Sequence, residues 1–175
     1  TKWSENNSDY EVSSPLSGVI TAMAPVDDVT ESVTPELNTS DDTSILLIKL
    51  NNKNRLAGSI FSEITETKYQ HTPDIDNIEI FKKLFSGIQN LMKNKKILAM
   101  HDISDGGLIT TLLEMCFTKK VGMRLNLDDS SGVNEFLFSE EIGFAIQIKK
   151  NNLDEVTNTL TNENIYVKNI AEIID

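Results

Sequence analysis

The segment HDISDGG, residues 101–107, gathers acid, hydroxyl and glycine residues between two apolar stretches. The apolar run before it predicts a strand that ends here, and helically spaced apolar residues after it predict a helix that begins here. Backbone N–H groups at a helix start have no partner within the helix, and the helix dipole is positive there. Gly106 and Gly107 leave these N–H groups open to close approach by an anion such as a phosphate group.

Asp102 and Ser104 add two oxygen-bearing side chains to the same turn. Asp102, at the carboxyl end of the predicted strand, is a hard oxygen ligand that suits Mg²⁺ bound together with phosphates. The ends of parallel strands also line the usual ligand crevice of open α/β sheets. The Ser104 hydroxyl can cap the helix or serve a ligand phosphate. The same pattern is also typical of a purely structural turn, and the residues alone leave both interpretations open.

Two other groups of residues could contribute to such a site. In RLAGSIFSEI, residues 55–64, Gly58 and Ser59 stand at a predicted helix start, which is either a second phosphate-binding turn or simple helix initiation. Glu140 and Glu141 in SEEIG either approach the site or form a solvated turn before a strand.

The remaining reactive side chains have structural alternatives. His101 either assists catalysis or is a hydrogen-bonded residue at a strand end. Cys116 lies on an apolar helix face without a neighbouring histidine, which favours core packing over a nucleophile. His71 and the pair His101–Asp102 also resemble the start of an H…HD metal phosphohydrolase motif. That chemistry needs its ligands on converging helices, whereas His71 lies beside Pro73 in a predicted loop.

Composition limits the function further. The 175 residues are 39% hydrophobic and 25% charged, which is ordinary for one globular domain. The net charge of −11 argues against nucleic acid as a partner. We expect no membrane association, because no apolar run approaches about 18 residues. A single cysteine and the lack of a signal peptide at the start favour a cytoplasmic protein.

Strand and helix patterns interleave along the chain, which predicts an α/β or α+β fold with one mixed β-sheet layered against α-helices. We expect the helices mainly on one face, and the continuously apolar strands near 44–50 and 96–101 in the sheet interior. Residues 1–14 read as a linker or arm from a preceding domain, and residues 15–175 as the domain itself. The predicted strands cover residues 17–26, 44–50, 95–102, 122–127 and 144–150, and the predicted helices cover 55–66, 76–93, 105–118 and 152–162.

Three segments together resemble the aminoimidazole ribonucleotide synthetase superfamily. HDISDGGLITTLLEM is similar to its H-D-R-S-D-G-G-L segment, and FLFSEEIGFAIQI to its later F-N-E-E-L-G strand. SSPLSGVITAMAPVDDVTESVTPEL resembles the start of the second C-terminal-type domain of the large, single-chain phosphoribosylformylglycinamidine synthases. Ile103 departs from a common Arg, Ser139 from a common Asn, and Ala57 from a Gly.

This resemblance implies an ATP-dependent ligase of de novo purine biosynthesis that uses glutamine as amide donor. Such an enzyme converts formylglycinamide ribonucleotide to formylglycinamidine ribonucleotide. By the same resemblance Asp102 ligates Mg²⁺ at a nucleotide site and Ser104 touches the nucleotide, so the implied cofactors are ATP and Mg²⁺. The implied partners are other synthetase domains and a glutaminase domain, without which the isolated chain is expected to be inactive. The alternative is a non-catalytic regulatory or scaffolding α/β domain whose glycine-rich turn is structural.

Overall fold

The computed structural model describes residues 1–13, 18–26, 28–40, 42–127 and 132–174. These form two compact units, Thr1–Ser32 and Val33–Asp175. In the first unit, strands β1 (Lys2–Glu5) and β2 (Ser8–Glu11) form an antiparallel hairpin. The elements of the second unit are β3 (Thr43–Lys49), α1 (Ile60–Ile64), α2 (Ile78–Lys93), β4 (Ile97–Asp102), α3 (Gly107–Lys119), β5 (Gly122–Leu125), α4 (Val133–Phe138), β6 (Gly143–Lys149), α5 (Leu153–Thr161) and β7 (Tyr166–Ile174).

The hairpin of the first unit lies within the segment that the sequence marked as a linker or arm. Asn6 and Asn7 form its turn with positive φ angles of 49° and 61°, which match the right-handed twist of the flanking strands. Trp3 and Tyr10 stack across it with ring centroids 5.2 Å apart. The domain boundary near residue 14 stays a prediction. The predicted strand at 17–26 is wrong for the described residues 18–26, which form neither strand nor helix.

The second unit contains a five-stranded sheet in the order β4-β6-β3-β7-β5, with helices packed against it. This confirms the predicted fold class. Every neighbouring pair of strands in this order is antiparallel, so the sheet is not mixed as predicted, and the expected parallel-strand crevice is not present there. The predicted strands at 44–50, 95–102, 122–127 and 144–150 correspond to β3, β4, β5 and β6. The sequence analysis missed β7 and the six-residue helix α4.

Strand β3 lies at the centre of the sheet as predicted, but β4 lies at its edge. The prediction for β4 was wrong because an apolar run reports burial of both faces and not the number of neighbouring strands. The loop after residue 33 lies beside the outer edge of β4, where the Met100 N–H donates to the Thr34 carbonyl oxygen at 3.0 Å. The edge is therefore covered without a further strand.

Helices pack on both faces of the sheet, which corrects the expected one-sided arrangement. Successive residues of β3 point to opposite faces, so its apolar run enters two cores. Ile45 and Leu47 pack in one core with residues of α3 and α4, and Leu46 and Ile48 pack in the other with residues of α2 and α5. The end of β4 thus belongs to a sheet that is covered on both faces, and α3 packs on one of these faces.

Lys49, the last residue of β3, is a buried cation. Its Nζ donates to the Lys53 carbonyl oxygen and to Asn54 Oδ1, each at 2.6 Å, and lies 5.4 Å from the centroid of the Tyr166 ring. Burial lowers the pKa of Lys49 to about 8, because desolvation outweighs the attraction of Glu141. Lys49 therefore holds the turn that follows β3 at an electrostatic cost.

We predict that Lys49 makes stability depend on pH in the alkaline range. Its pKa is lower in the folded than in the unfolded chain, so the unfolded chain binds more protons between these values and stability rises as pH increases. Chemical denaturation from pH 7 to 10.5 should show the unfolding free energy of wild type rising relative to Lys49→Met, by up to about 3 kcal/mol. The exposed control Lys82→Met should show no such trend. A pH-independent difference for Lys49→Met would contradict the burial argument.

Candidate functional site

The 102–107 turn (Asp102–Gly107) joins the end of β4 to the start of α3. Asp102 is the last residue of β4 and pairs with Phe144 of β6. Its carbonyl oxygen accepts a hydrogen bond from Thr111 Oγ1 at 3.0 Å, which ties the strand end to the next helix. The Asp102 side chain is 66% exposed. The backbone at this position is thus fixed while the carboxylate remains accessible.

Ser104 does not cap α3, contrary to one expectation for its hydroxyl. The residue before the helix is Gly106, in the left-handed region, and no side chain bonds the helix start as a cap. The Ser104 carbonyl oxygen accepts the Gly107 N–H at 3.0 Å, so its backbone closes the turn and its side chain is exposed. The hydroxyl is available for another partner.

The Gly106 N–H already has an anionic partner within the chain. It donates to Glu140 Oε1 at 2.9 Å, and the same oxygen accepts the Ile60 N–H at 3.0 Å. The interpretation of Glu140 and its neighbour as a solvated turn is therefore wrong. Glu140 bridges the two glycine-containing turns that the sequence singled out separately.

Gly107 is required by close packing of backbone on backbone. Its φ angle is +73°, and a Cβ at this position would lie 2.6 Å from the carbonyl carbon of Phe138. The start of α3 therefore presses against the last residue of α4. This glycine serves the fold and brings Glu140 beside the 102–107 turn.

The second predicted phosphate-binding turn is occupied by its own hydrogen bonds. Gly58 has a positive φ of 79°, and the buried Ser59 caps α1 by accepting the Ser62 N–H at 3.2 Å. Ser59 Oγ also donates to the Leu56 carbonyl oxygen at 2.7 Å. Helix initiation accounts for both residues, and α1 is shorter than the predicted helix at 55–66.

Glu141 forms a buried ion pair with Arg55. Arg55 Nε and Nη2 donate to the two carboxylate oxygens at 2.6 and 2.7 Å, and the Arg55 N–H donates at 3.1 Å. The side chains are 13% exposed for Arg55 and 4% for Glu141. The hydrogen bonds that Arg55 donates to Glu141 raise the pKa of Arg55. This bidentate pair fixes the chain next to Glu140.

His101 and Cys116 are engaged in structural contacts. His101 Nε2 lies 3.0 Å from Glu114 Oε2 on α3, and Nδ1 lies 2.8 Å from the Asp102 carbonyl oxygen. Burial raises the pKa of the Cys116 thiol, which disfavours the nucleophilic thiolate. These contacts favour the structural interpretations of both residues.

No group of three or more His, Cys, Asp or Glu side chains that could hold a metal occurs among the described residues. His71 lies in a loop and lines a polar cleft of about 640 Å³ with Lys53, Arg55 and Asp76. It belongs to no metal-binding cluster with His101, which removes the basis of the phosphohydrolase interpretation. Asp102 can supply one ligand of a metal but not a complete site.

Ile103 and Ser139, which differ from the residues common at these positions in the resembled superfamily, are both buried. Ile103 is buried and packs in the core that α3 and α4 share. Ser139 Oγ is buried and has no hydrogen-bond partner within the part of the chain that the structure describes. The sequence analysis missed the contacts that Arg55 and Thr111 make at the site. Thr111 lies four residues after Gly107, so in a helix the two residues lie on the same face, and this spacing could have indicated Thr111.

A family model described as AIR synthase related protein, C-terminal domain, matches residues 42–175, which is more than half of the chain. The chain belongs to this family. The resemblance stated from the sequence is thereby confirmed. No helix in the described parts of this AIR synthase C-terminal domain has both the length and the apolar character to span a bilayer.

Solved structures share the fold of this domain. T. maritima PurL complexed with ATP matches with a TM-score of 0.66 and 13% identity, over 84% of this chain and 24% of that one. The FGAR complex of the same protein matches with a TM-score of 0.65 and 12% identity, over 84% and 26%. A thiamine-monophosphate kinase from Stenotrophomonas maltophilia matches with a TM-score of 0.52 and 11% identity, over 83% and 51%. The chain thus spans about a quarter of the PurL chains.

We predict that Gly107→Ala destabilises the domain by about 2–4 kcal/mol. The backbone at Gly107 is left-handed, a conformation that strains any residue with a Cβ. The added methyl group would also collide with the Phe138 backbone, which cannot move as a side-chain end can. Chemical denaturation monitored by circular dichroism measures the difference. Gly18→Ala is the matched control, since a Cβ there meets nothing within 4 Å. Equal stability of the two variants would contradict the close approach of α3 and α4.

Proposed function

We propose that this chain is a domain of a PurL-like phosphoribosylformylglycinamidine synthase and contributes part of a Mg²⁺–nucleotide site. The parent enzyme would convert formylglycinamide ribonucleotide to formylglycinamidine ribonucleotide with ATP and glutamine, in the cytoplasm. The proposal rests on family membership together with the geometry of the 102–107 turn. Other synthetase domains and a glutaminase domain would complete the enzyme, so the isolated chain is expected to be inactive.

The observation that carries the proposal is the pair of accessible oxygen donors on a fixed turn. The carboxylate of Asp102 and the hydroxyl of Ser104 are exposed, while the turn is held through the Asp102 carbonyl oxygen and the Gly106 N–H. A structural turn needs its backbone contacts, whereas the Ser104 hydroxyl is exposed and the largely exposed Asp102 carboxylate lies only beside His101 Nδ1, at 3.3 Å. A hard carboxylate oxygen and a hydroxyl are the donors expected for Mg²⁺ and for a phosphate oxygen.

The residues present fit Mg²⁺ and a nucleotide phosphate at these side chains and not at the backbone amides. The Ser59 N–H donates to the Leu56 carbonyl oxygen at 3.1 Å and the Gly106 N–H donates to Glu140, so neither of these two amides is free to bind a phosphate. Asp102, Asp105 and Glu140 also make the region acidic, which repels an unscreened phosphate. A divalent cation between protein and phosphate resolves this repulsion.

Mg²⁺ and ATP, when bound, would supply the phosphoryl group and offset its charge. Asp102 would hold the metal with a carboxylate at the end of the edge strand β4, where hydrogen bonds fix its backbone. The Ser104 hydroxyl would donate a hydrogen bond to a phosphate oxygen. Positioning and charge stabilisation of this kind account for most of the catalysis in phosphoryl transfer.

A second candidate is a non-catalytic regulatory or scaffolding domain. The observation that favours it is the internal use of the predicted phosphate-binding groups, since Glu140 bonds the Gly106 N–H and Ser59 caps α1. In that case the 102–107 turn only connects β4 to α3. The two candidates differ in what substitution of Asp102 does to nucleotide binding.

We predict that Asp102→Asn in the complete synthetase weakens Mg²⁺-dependent nucleotide affinity by about tenfold or more, because the metal loses an anionic ligand. Ser104→Ala should cost about 0.5–1.5 kcal/mol of binding, the value of one hydrogen bond. Affinity is measured by calorimetry at several Mg²⁺ concentrations. Thermal unfolding should be unchanged in Ser104→Ala, since this side chain does not cap α3.

Asp154→Asn is the matched control, because Asp154 is an exposed carboxylate at the start of α5, whose buried residues pack in the other core. It should retain the wild-type affinity. Unchanged Mg²⁺–nucleotide affinity in Asp102→Asn, with or without a loss of thermal stability, would contradict the proposal and favour the structural candidate.

A further inference from the structure

One side-chain oxygen connects two segments that are distant in sequence. Glu140 Oε1 accepts the N–H of Gly106, 34 residues away, and the N–H of Ile60, 80 residues away. A charged acceptor of two N–H groups forms stronger hydrogen bonds than a neutral one. We infer that Glu140 is a positioning residue that holds the 102–107 turn in its nucleotide-binding arrangement, an inference whose functional part rests on the proposed function.

Glu140 is itself held by the residues on either side of it. The Glu141 carboxylate is bonded bidentately by Arg55, so a shift of this segment would break a buried ion pair. On the other side, Phe138 stacks on Phe61 of α1 with ring centroids 4.6 Å apart. The backbone at Glu140 is therefore fixed, which determines where its carboxylate can lie.

The contact at Gly106 reaches the proposed ligands through a short, closed turn. Gly106 lies two residues after Ser104 and four after Asp102. The Gly107 N–H bonds the Ser104 carbonyl oxygen at 3.0 Å, and Thr111 Oγ1 bonds the Asp102 carbonyl oxygen at 3.0 Å. Loss of the Glu140 contact frees the Gly106 N–H, while the hydrogen bonds to the carbonyl oxygens of Asp102 and Ser104 remain. Part of the population then leaves the binding-competent arrangement, and apparent nucleotide affinity falls by the fraction lost.

Two substitutions separate positioning from charge. Glu140→Ala removes the acceptor of both N–H groups, whereas Glu140→Gln keeps a carbonyl oxygen that can accept both. If Glu140 positions the turn through hydrogen bonds, Gln should retain most of its function. Glu63→Ala is the control, because it removes an exposed carboxylate from α1, the helix whose first N–H Glu140 accepts.

The first arm measures amide hydrogen exchange by NMR in the 175-residue chain, at a temperature where every variant is folded. In Glu140→Ala the Gly106 amide should exchange about tenfold faster or more, as expected for loss of a hydrogen bond to a charged group. Glu140→Gln should lie between Glu140→Ala and wild type, because its neutral oxygen still accepts both N–H groups but more weakly, and Glu63→Ala should equal wild type. This arm does not depend on the proposed function.

The second arm measures steady-state kinetics of the complete synthetase. Glu140→Ala should raise the KM for Mg²⁺–ATP by about tenfold with a smaller change in kcat, because the turn must be ordered by the nucleotide. Glu140→Gln should restore KM to within about threefold of wild type. If Glu140 served only the stability of the fold, Glu140→Ala would lower Tm but leave KM unchanged at temperatures below the unfolding transition.

Several results would overturn the inference. Wild-type exchange and KM in Glu140→Ala would show that the contact positions nothing. Equal impairment of Glu140→Gln and Glu140→Ala would show that charge and not hydrogen bonding matters. Tighter Mg²⁺–ATP binding in Glu140→Ala would show that Glu140 blocks the site. Absence of ATP-dependent turnover in the wild-type synthetase would instead contradict the proposed function, and the exchange arm would still decide the role of Glu140.

Discussion

The approach of α3 to α4 at Gly107 is the contact on which the site depends. With a Cβ position only 2.6 Å from the Phe138 carbonyl carbon, the two helices meet backbone to backbone. This contact places the residues after α4 beside the start of α3, and Glu140 can then bond Gly106. A side chain at Gly107 would separate the helices and with them the carboxylate and its partner.

The same geometry explains why the fold tolerates a cluster of acids at this end of the sheet. The charge of Glu141 is offset by Arg55, and that of Glu140 is stabilised by the two N–H groups that donate to it. Asp102 keeps a largely exposed carboxylate, although His101 Nδ1 lies 3.3 Å from one of its oxygens. Asp102 and Asp105 are the acids of this region whose carboxylates the fold leaves largely exposed.

Sequence patterns predicted the elements with strong periodicity and missed those without it. The apolar run of β3 and the amphipathic pattern of α2 placed both elements within one or two residues. Strand β7 carries Lys168, Asn169 and Glu172 among its apolar residues, and α4 has only six residues, so neither gave a clear period. Sheet order and strand direction depend on contacts distant in sequence, which is why β4 was placed in the interior.

In the candidate site, too, the sequence predicted the local features but not the contacts between distant segments. Local patterns located Asp102, Ser104 and the two glycines correctly at a strand-to-helix turn, because strand end and helix start are local properties. The partner of Gly106 is Glu140, for which the sequence left open both an approach to the site and a solvated turn. Since the fold is shared with a thiamine-monophosphate kinase, the fold alone does not define the reaction, and the side chains of the 102–107 turn must do so.

The most direct test is a crystal structure of the complete synthetase with Mg²⁺ and a non-hydrolysable ATP analogue. The account predicts an Asp102 carboxylate oxygen about 2.0–2.1 Å from a Mg²⁺ ion. It also predicts the Ser104 hydroxyl within hydrogen-bonding distance of a phosphate oxygen, and Glu140 still bonded to Gly106. A nucleotide bound with its metal remote from Asp102, or with a phosphate in place of Glu140 at the Gly106 N–H, would contradict it.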